Sequence, residues 1–401
     1  MEYLFINGTN SVAIIRDGES NKVEKVIIDG VEKEFDPEDM QDKENYAIQT
    51  KRNKYANILN RQYENLIVLT GAGSSVGIGK GEIKGKLLGE LWNLVSEQLT
   101  VKKLEEFCEL VKYTDKDKSG NYVKNLEKLL STASAALDFV PDSNDIKIKD
   151  TIDIIQESIL KNCKLDLPED SPHQLFLEKI TKRKVTLPRV KIFTLNYDTL
   201  FEQAGRKGNF TIIDGFSFSH PRTFSGRNFD LDVVIRDKSR LKEEDNFVDR
   251  VFHLYKVHGS VDWERKSNAI MQSEKVKSAL MIYPKDSKYE SSYEQPFFEM
   301  MSRFQQSLRK ENVVIVCIGF SLNDKHIVTV IKEALNQNSS FQLILVNRSI
   351  RETGSSKWLY DLSKKHTNIA LVAEEFTEFV KHYPYLKSYS EDNLEVQKPK
   401  T

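Results

Sequence analysis

Seven short apolar runs between residues 66 and 373 constrain the fold more than any other feature of the sequence. In chain order they are Leu66–Thr70, Val190–Leu195, Phe210–Ile213, Phe252–His258, Val313–Phe320, Leu343–Asn347 and Ile369–Ala373. Strands that are apolar on both faces belong to a parallel sheet whose two faces are covered by helices. Helical patterns lie between several of these runs. The sequence therefore predicts an α/β fold with a doubly wound parallel sheet.

A long segment between the first two strands has helical periodicity. At about residues 80–189, apolar residues recur at spacings of three and four, which predicts a helical insertion module set into the sheet domain. A second insertion, at roughly residues 217–250, is polar and mixed in character. We expect no catalytic residue in this second insertion, although it can border a pocket.

Residues 1–45 are predicted to form a small N-terminal β extension. Turn sequences separate three β-rich runs, which are Tyr3–Ile6, Ser11–Ile15 and Val23–Ile28. Because so small a unit is not stable alone, we expect it to pack on the main domain or on a neighbouring subunit, as an oligomerisation element. The main domain is predicted over residues 46–386, beginning with a helix at Tyr46–Tyr63, and residues 387–401 are expected to form a flexible tail.

Charge and cysteine content exclude several classes of protein. The formal net charge is −1, from 59 Lys plus Arg and 60 Asp plus Glu, so the bulk charge gives no indication of direct nucleic-acid binding. The three cysteines, Cys108, Cys163 and Cys317, cannot form a four-cysteine zinc site or a disulfide framework, and we expect no metal. No signal peptide or membrane-spanning stretch is apparent, which predicts a cytoplasmic protein without membrane association.

The first apolar run, Leu66–Thr70, ends in a glycine-rich turn, GAGSS. In a Rossmann-like fold, glycines at this turn allow a tight bend and a close approach of the backbone to a pyrophosphate. The sequence therefore predicts a dinucleotide site at this turn, and a plain strand-to-helix turn is the structural alternative. The residues expected to bind the diphosphate are Gly71, Ala72, Gly73 and Ser74, and Thr70 is expected to belong to the same cofactor-binding site.

The same turn argues against two familiar nucleotide-binding motifs. Its glycine spacing is G-x-G-x-x-x-G, and no acidic residue ends an obvious second strand about 20 residues later, so a hydride-transfer enzyme is disfavoured. The segment Gly77–Gly81 is not a P-loop, because Lys80 is followed by glycine rather than Ser or Thr.

Polar residues close four further apolar runs, at the sheet edge where open α/β folds bind ligands. Asn196 follows one strand, and Asp198 two residues later either joins a ligand network or caps the next helix. His258 closes another strand beside a glycine, where structural and catalytic roles are about equally expected. Groups that could contact a ribose, phosphate or adenine edge follow the last strands, at Gly319, Ser321 and Asn347.

The motifs GAGSS, LNYD, KVHGS, GFSLND and VNR, in this order over Asn65–Phe376, resemble those of the sirtuin superfamily. By this resemblance, GAGSS matches the phosphate turn and LNYD the strand end that carries Asn and Asp. His258 matches the catalytic histidine, and Asn347 matches the asparagine near the adenosine ribose. In GFSL, Phe320 stands where sirtuins have threonine. The resemblance implies a sirtuin-like NAD-binding domain.

Two departures from the sirtuin pattern argue against protein deacylation. Deacylases of this superfamily carry a four-cysteine zinc module, and their Pro-Asp-Phe-Arg segment is replaced here by GIGKGEIKGKLLGELW. The remaining pattern is similar to that of the sirtuin-like NAD hydrolases of bacterial antiphage systems. It implies an NAD+ glycohydrolase that releases nicotinamide and ADP-ribose and depletes NAD as a defence effector. It also implies a homo-oligomer with a separate partner, a HerA-type ATPase or alternatively a short Argonaute.

The resemblance also implies roles for the polar residues in cleaving the nicotinamide–ribose bond. His258 would act as general base toward a ribose hydroxyl or the attacking water, and Asn196 would position the water and the ribose. Asp198 would orient the network on the nicotinamide side or cap its helix. The alternatives are a sensor that binds NAD or ADP-ribose without hydrolysis, and a protein deacylase or ADP-ribosyltransferase. The sequence contains neither a G-x-S-x-G elbow nor an HExxH helix.

Overall fold

The computed structural model describes residues 1–35, 42–61, 63–143, 146–235, 247–274, 276, 279–281 and 295–385. The strands in chain order are β1 (Glu2–Asn7), β2 (Asn10–Arg16), β3 (Val23–Ile28), β4 (Val31–Glu32), β5 (Asn65–Thr70), β6 (Val190–Thr194), β7 (Thr211–Ile213), β8 (Val251–Lys256), β9 (Trp263–Lys266), β10 (Ala269–Gln272), β11 (Val313–Ile318), β12 (Gln342–Asn347) and β13 (Ile369–Ala373). The helices are α1 (Lys43–Leu59), α2 (Leu88–Leu99), α3 (Val101–Leu110), α4 (Leu126–Ala136), α5 (Ile148–Cys163), α6 (Pro172–Thr181), α7 (Leu200–Lys207), α8 (Phe297–Leu308), α9 (Lys325–Gln337), α10 (Lys357–Ser363) and α11 (Phe376–His382).

Seven parallel strands form the centre of the molecule, in the order β13-β12-β11-β5-β6-β8-β7. From β5 the chain places β6, β7 and β8 on one side, with β8 inserted between β6 and β7, and then crosses to the other side for β11, β12 and β13. The winding direction therefore reverses between β5 and β11, which makes this the topological switch point of the sheet. The predicted doubly wound parallel sheet is confirmed.

The apolar runs form these strands because helices cover both faces of the sheet. All six residues of β8 and all six of β11 are buried. Along β5, Val68 packs into the apolar core on one face, and Ile67 and Leu69 pack into the core on the other face. This alternation follows from the two-residue period of a strand. The predicted strand boundaries agree with the observed ones to within two residues at either end.

The N-terminal β unit extends the same sheet rather than forming a separate one. Strand β1 pairs antiparallel with β13, in the register Phe5 opposite Val372, and β2, β3 and β4 follow outward. Helix α1 covers these strands and is capped by Asp42, whose side chain accepts hydrogen bonds from the first-turn amides. This cap starts the helix three residues before the predicted Tyr46. The oligomerisation role of the unit stays a prediction.

The predicted helical insertion contains two kinds of helix. Helices α2 to α5 form a module with its own apolar core, which includes Trp92, Phe107, Leu129 and Ile155. Helix α6 instead packs against α7 and α11 in the layer that covers the sheet. Tyr197, from the turn after β6, is buried in the core of the module. The module is therefore held against the carboxyl end of the parallel strands.

The region around the second predicted insertion contains a hairpin, β9 and β10, that the sequence did not predict. Trp263 of this hairpin packs with Phe216 and Phe224 at the edge of the sheet core. Residues 236–246 of the insertion and the predicted tail at residues 387–401 lie outside the described residues. Among the helices that the structure describes, none is long and apolar enough to span a membrane.

Two glycine turns meet backbone to backbone at the switch point. The amide of Gly71 donates to the carbonyl of Ile318 at 2.9 Å, and the amide of Gly73 donates to the carbonyl of Gly319 at 3.1 Å. A Cβ on Gly319 would lie 2.5 Å from the Cα of Gly73, and a Cβ on Gly73 would lie 2.6 Å from the Cα of Gly319. Gly319 also has φ +62°, in the left-handed region. The two turns can therefore touch only as glycines.

Gly319→Ala is expected to destabilise the protein by about 3 kcal/mol or more, because left-handed strain of about 1–2 kcal/mol adds to a backbone collision. Gly354→Ala is the matched control, since Gly354 has φ +70° but meets no atom within 4 Å of an added Cβ. Urea unfolding of the two variants measures the difference. If both variants lose the same free energy of unfolding, the contact between the turns does not contribute to stability.

Candidate functional site

The glycine turn after β5 is bound to the protein's own carbonyl groups. Besides the amides of Gly71 and Gly73, the amide of Ser74 donates to the Gly71 carbonyl at 3.0 Å, and the buried Ser74 hydroxyl donates to the same oxygen at 2.9 Å. The predicted diphosphate cradle therefore does not have these three amides as free donors in this structure. Thr70 is fully buried at the end of β5.

Asn196 clamps the turn after β6 onto the glycine turn. Its Nδ2 lies 3.0 Å from the Gly71 carbonyl oxygen, 3.1 Å from Ser74 Oγ and 2.9 Å from Ser75 Oγ. The side chain is half-buried between the two strand ends. In this arrangement the amide nitrogen is engaged by one backbone carbonyl and two serine hydroxyls of the protein itself. The predicted positioning of water and ribose by Asn196 stays a prediction.

Of the two roles that the sequence left open for Asp198, the bond to the start of α7 is present, and the role toward a ligand stays a prediction. One carboxylate oxygen accepts from the amide of Leu200 at 3.1 Å and caps α7, and the other accepts from the Ser75 hydroxyl at 2.7 Å. Beneath it, the buried Lys256 ammonium donates to the Asp198 backbone carbonyl and lies 3.1 Å from a carboxylate oxygen of Glu202. Asp198 is therefore the link between the glycine turn and the start of α7.

His258 is paired with a carboxylate that the sequence did not single out. Its strand, β8, ends at Lys256, and His258 lies buried in the turn that follows. Nε2 of His258 lies 3.0 Å from Asp324 Oδ2, while Asp324 Oδ1 accepts from the His326 and Ile327 amides and caps α9. The position of an Asp just before an apolar helical pattern is the signal that could have identified this cap.

Burial shifts the pKa of His258 and of Asp324 in one direction, and the hydrogen bond and charge of the partner shift it in the other. Burial lowers the pKa of His258, but the hydrogen bond and charge of Asp324, together with the charge of Glu127, outweigh it and raise the pKa above its ordinary value. For Asp324, burial raises the pKa, and the hydrogen bond to His258 and its charge lower it below the usual range. The pairing therefore stabilises the charged form of each group relative to its neutral form.

Glu127 reaches the site from the helical module and was not predicted from the sequence. It lies in the first turn of α4, and its Oε1 accepts a hydrogen bond from the Tyr197 hydroxyl at 3.0 Å. Burial raises the pKa of Glu127, against the lowering effects of the His258 charge and the Tyr197 hydrogen bond. Only the tertiary fold brings this residue to the strand ends, so no local sequence signal marks it.

A cavity of about 580 Å³ lies at the carboxyl end of β5, β6 and β8, beneath the helical module. The glycine turn contributes Gly71 and Ala72 to its wall. The polar side chains that line it include Glu127, Asn196, Asp198, His258 and Asp324. The three residues predicted to be catalytic, Asn196, Asp198 and His258, therefore face one cavity.

A second cavity, of about 400 Å³, lies at the carboxyl end of β11, β12 and β13. It is lined by Gly73 and by Asn347, whose Nδ2 donates to the Phe320 carbonyl at 2.9 Å. Gly319, Ser321 and the exposed Arg351 line both cavities. The predicted binding residues therefore lie on both sides of the switch point. Gly319, Ser321 and Arg351 lie between the two cavities and connect them. The described part of the second insertion lines neither cavity.

The three cysteines are free thiols. Cys163 lines the first cavity, where burial raises the pKa of its thiol to about 12. Within the described residues, no group of three or more His, Cys, Asp or Glu side chains is placed to hold a metal ion.

Comparison with known proteins finds one family model that matches the part of the chain with most of these residues. Residues 190–369 match the family model of the SIR2-like domain. This segment, which holds Asn196, His258, Gly319 and Asn347, is therefore sirtuin-like. The match spans less than half of the chain and leaves out the glycine turn after β5. No curated protein matches the sequence.

Solved structures with a similar fold include three of Sir2 proteins. Two are complexes of mutant Sir2 homologues with ADP-ribose, each 14% identical in sequence, with TM-scores of 0.38 and 0.37. The third, described as a structural basis for the mechanism and regulation of Sir2 enzymes, is 12% identical with a TM-score of 0.37. Each alignment covers 86% of this chain and 99% of the other.

Asp324→Asn is expected to move the pKa of His258 from above to below its ordinary value, because burial is then opposed only by Glu127. Asparagine is as good a helix cap as aspartate, so α9 should be retained. An NMR titration of the His258 ring measures the shift, with Asp361→Asn on α10 as a control carboxylate that pairs with Lys357 instead. An unchanged His258 pKa in Asp324→Asn would contradict the pairing.

Proposed function

We propose that this protein is an NAD+ glycohydrolase that cleaves NAD+ into nicotinamide and ADP-ribose. The observation that carries the proposal is the pair of adjoining cavities on the two sides of the switch point. One holds Asn196 and the His258–Asp324 pair, and the other holds Asn347. In open α/β folds, dinucleotides bind across this crevice. The sirtuin-like character of residues 190–369 supports the same ligand.

The arrangement supports one orientation of NAD+ in the site. The adenosine half would lie in the second cavity, where Asn347 and Ser321 could contact its ribose. The diphosphate would cross the junction formed by Gly319 and the glycine turn, with the Arg351 guanidinium as a cation near its negative charge. The nicotinamide and its ribose would then lie in the first cavity, next to His258.

Hydrolysis breaks the bond between C1′ of the ribose and the nicotinamide nitrogen, and the bonding electron pair leaves with nicotinamide. Water then forms a new bond to the electron-poor C1′ and must lose a proton. In the neutral form of His258, Nε2 donates its hydrogen to Asp324 and the lone pair lies on Nδ1, so this nitrogen would accept the proton from water. Because the pKa of His258 is raised, the share of this neutral form grows as the pH rises. Asp324 would stabilise the imidazolium that forms.

The sequence favours hydrolysis of NAD+, in which water accepts the ADP-ribosyl group, over protein deacylation. The chain has three cysteines and cannot build the four-cysteine zinc module of sirtuin deacylases. The helical module occupies the segment between β5 and β6, and its residue Glu127 forms part of the wall of the first cavity. Both features separate this protein from the deacylase pattern.

A sensor that binds NAD or ADP-ribose without hydrolysis is the second candidate, and Asn196 favours it. The amide nitrogen of Asn196 is held by Gly71, Ser74 and Ser75 rather than directed at a ligand. In a sensor, these hydrogen bonds would make the position of Asn196 depend on that of the glycine turn. Such a protein would need no catalytic group.

The proposed biological setting is NAD depletion as the effector step of a bacterial antiphage system. It rests on the resemblance of the GAGSS, LNYD and KVHGS motifs to the sirtuin-like hydrolases of such systems. A homo-oligomer and a separate partner, a HerA-type ATPase or a short Argonaute, belong to the same proposal. Uncontrolled loss of NAD would harm the cell, so we expect activity to depend on such a partner.

His258→Gln is expected to lower the rate of NAD+ hydrolysis by roughly 100-fold to 10,000-fold, the range that a positioned general base contributes. The measurement is chromatographic separation of nicotinamide and ADP-ribose, with and without candidate partners. His366→Gln, at an exposed position, is the control and should retain the parental rate.

The outcomes separate the two candidate functions. Nicotinamide and ADP-ribose in equal amounts, lost in His258→Gln, support hydrolysis. Saturable NAD+ binding without turnover under any condition supports the sensor. Full activity in His258→Gln would contradict the proposed role of His258.

A further inference from the structure

We infer that Glu127, supplied by the helical module, binds the hydroxyl groups of the nicotinamide-side ribose and makes the module part of the active site. This inference rests on the proposed function, because it assigns one residue to the substrate that the first cavity would hold. It is carried by the position of Glu127 in the cavity wall and by the hydrogen bonds of the carboxylates around it.

Four carboxylates line the first cavity, and three of them are held by an ion pair or by bonds through both of their oxygens. Asp115 pairs with Lys128 at 2.6 Å. Asp198 uses one oxygen for Ser75 and the other for the α7 cap, and Asp324 uses one oxygen for His258 and the other for the α9 cap. These contacts assign Asp115, Asp198 and Asp324 to holding the site together.

Glu127 differs from the other three carboxylates because its contacts among the described residues include neither an ion pair nor bonds through both oxygens. Among the described residues, the Tyr197 hydroxyl is its hydrogen-bond partner, through Oε1 at 3.0 Å. Tyr197 is buried and lies between Asn196 and Asp198 in the turn after β6, so this bond fixes the carboxylate relative to the strand ends. The second oxygen, Oε2, remains to accept hydrogen bonds from a ligand in the cavity.

The chemistry of a carboxylate selects which part of NAD+ it can bind. It repels the diphosphate, whose oxygens are also negative. The two adjacent hydroxyl groups of a ribose are hydrogen-bond donors, and a carboxylate accepts such bonds more strongly than a neutral oxygen does. Its negative charge also favours the positive charge that develops at C1′ when nicotinamide leaves. Glu127 therefore suits the ribose in the first cavity.

The position of Glu127 in the chain gives the helical module a direct role. The module is inserted between β5 and β6, and Tyr197 and Val261 from the strand-end turns are buried in its core. A substrate contact from α4 therefore connects the ligand to the module.

The test compares two ligands that differ only by the terminal ribose, namely ADP-ribose and ADP. In Glu127→Gln, the affinity for ADP-ribose is expected to fall about tenfold or more, which is the size of a lost charge-assisted hydrogen bond, while the affinity for ADP stays within about twofold. Isothermal titration calorimetry measures both, and the full-length protein is used throughout. Glu157→Gln, on the exposed face of α5, is the matched control and should change neither affinity.

A second variant tests the same contact without removing the carboxylate. Tyr197→Phe removes the hydroxyl that orients Glu127 and is expected to weaken ADP-ribose binding by a smaller factor, again with ADP unaffected. In steady-state hydrolysis, Glu127→Gln should lower kcat as well as raise KM, since the contact strengthens as charge develops on the ribose.

The outcomes are distinct. An unchanged ADP-ribose affinity in Glu127→Gln overturns the inference, and so does an equal loss for ADP-ribose and ADP, which would mean that Glu127 supports the shape of the whole site. If the parent protein binds neither ligand, the proposed function itself fails. A selective loss for ADP-ribose supports both the contact and the placement of the ribose in the first cavity.

Discussion

The direct contact between the glycine turns after β5 and β11 is the constraint on which the rest of the site depends. With no side chains between Gly73 and Gly319, the turns touch through their backbones at the point where the sheet reverses its winding. Asn196 then binds the Gly71 carbonyl, and Asp198 links Ser75 to α7. Two cavities result, one on each side of the contact.

Buried charge at the strand ends gives the first cavity its chemical character. The charges of Asp324 and Glu127 maintain a raised pKa on His258 despite burial, and each carboxylate is oriented by a different element. Asp324 starts α9, and Glu127 starts α4 of the helical module. Helix starts are rigid and electrically favourable positions for carboxylates. The cavity therefore combines groups from the sheet and from the insertion.

Much of the fold and part of the candidate site could be predicted from the sequence. The seven apolar runs predicted the parallel strands because burial on both faces leaves a local signature. Asn196 and His258 were predicted to be site residues because they follow strand ends, and they do line one cavity. Glu127 and its bond to Tyr197 depend on contacts between distant segments, which no local pattern encodes. The engagement of the Gly71 and Gly73 amides likewise depends on β11, which lies far away in the chain.

A crystal structure of the protein with ADP-ribose tests the proposed placement of the dinucleotide most directly. The expected result is the diphosphate at the junction lined by Gly319 and Arg351, the adenosine beside Asn347, and the terminal ribose between His258 and Glu127. Density for ADP-ribose away from the switch point, or with the adenosine in the first cavity, would contradict the account of both cavities.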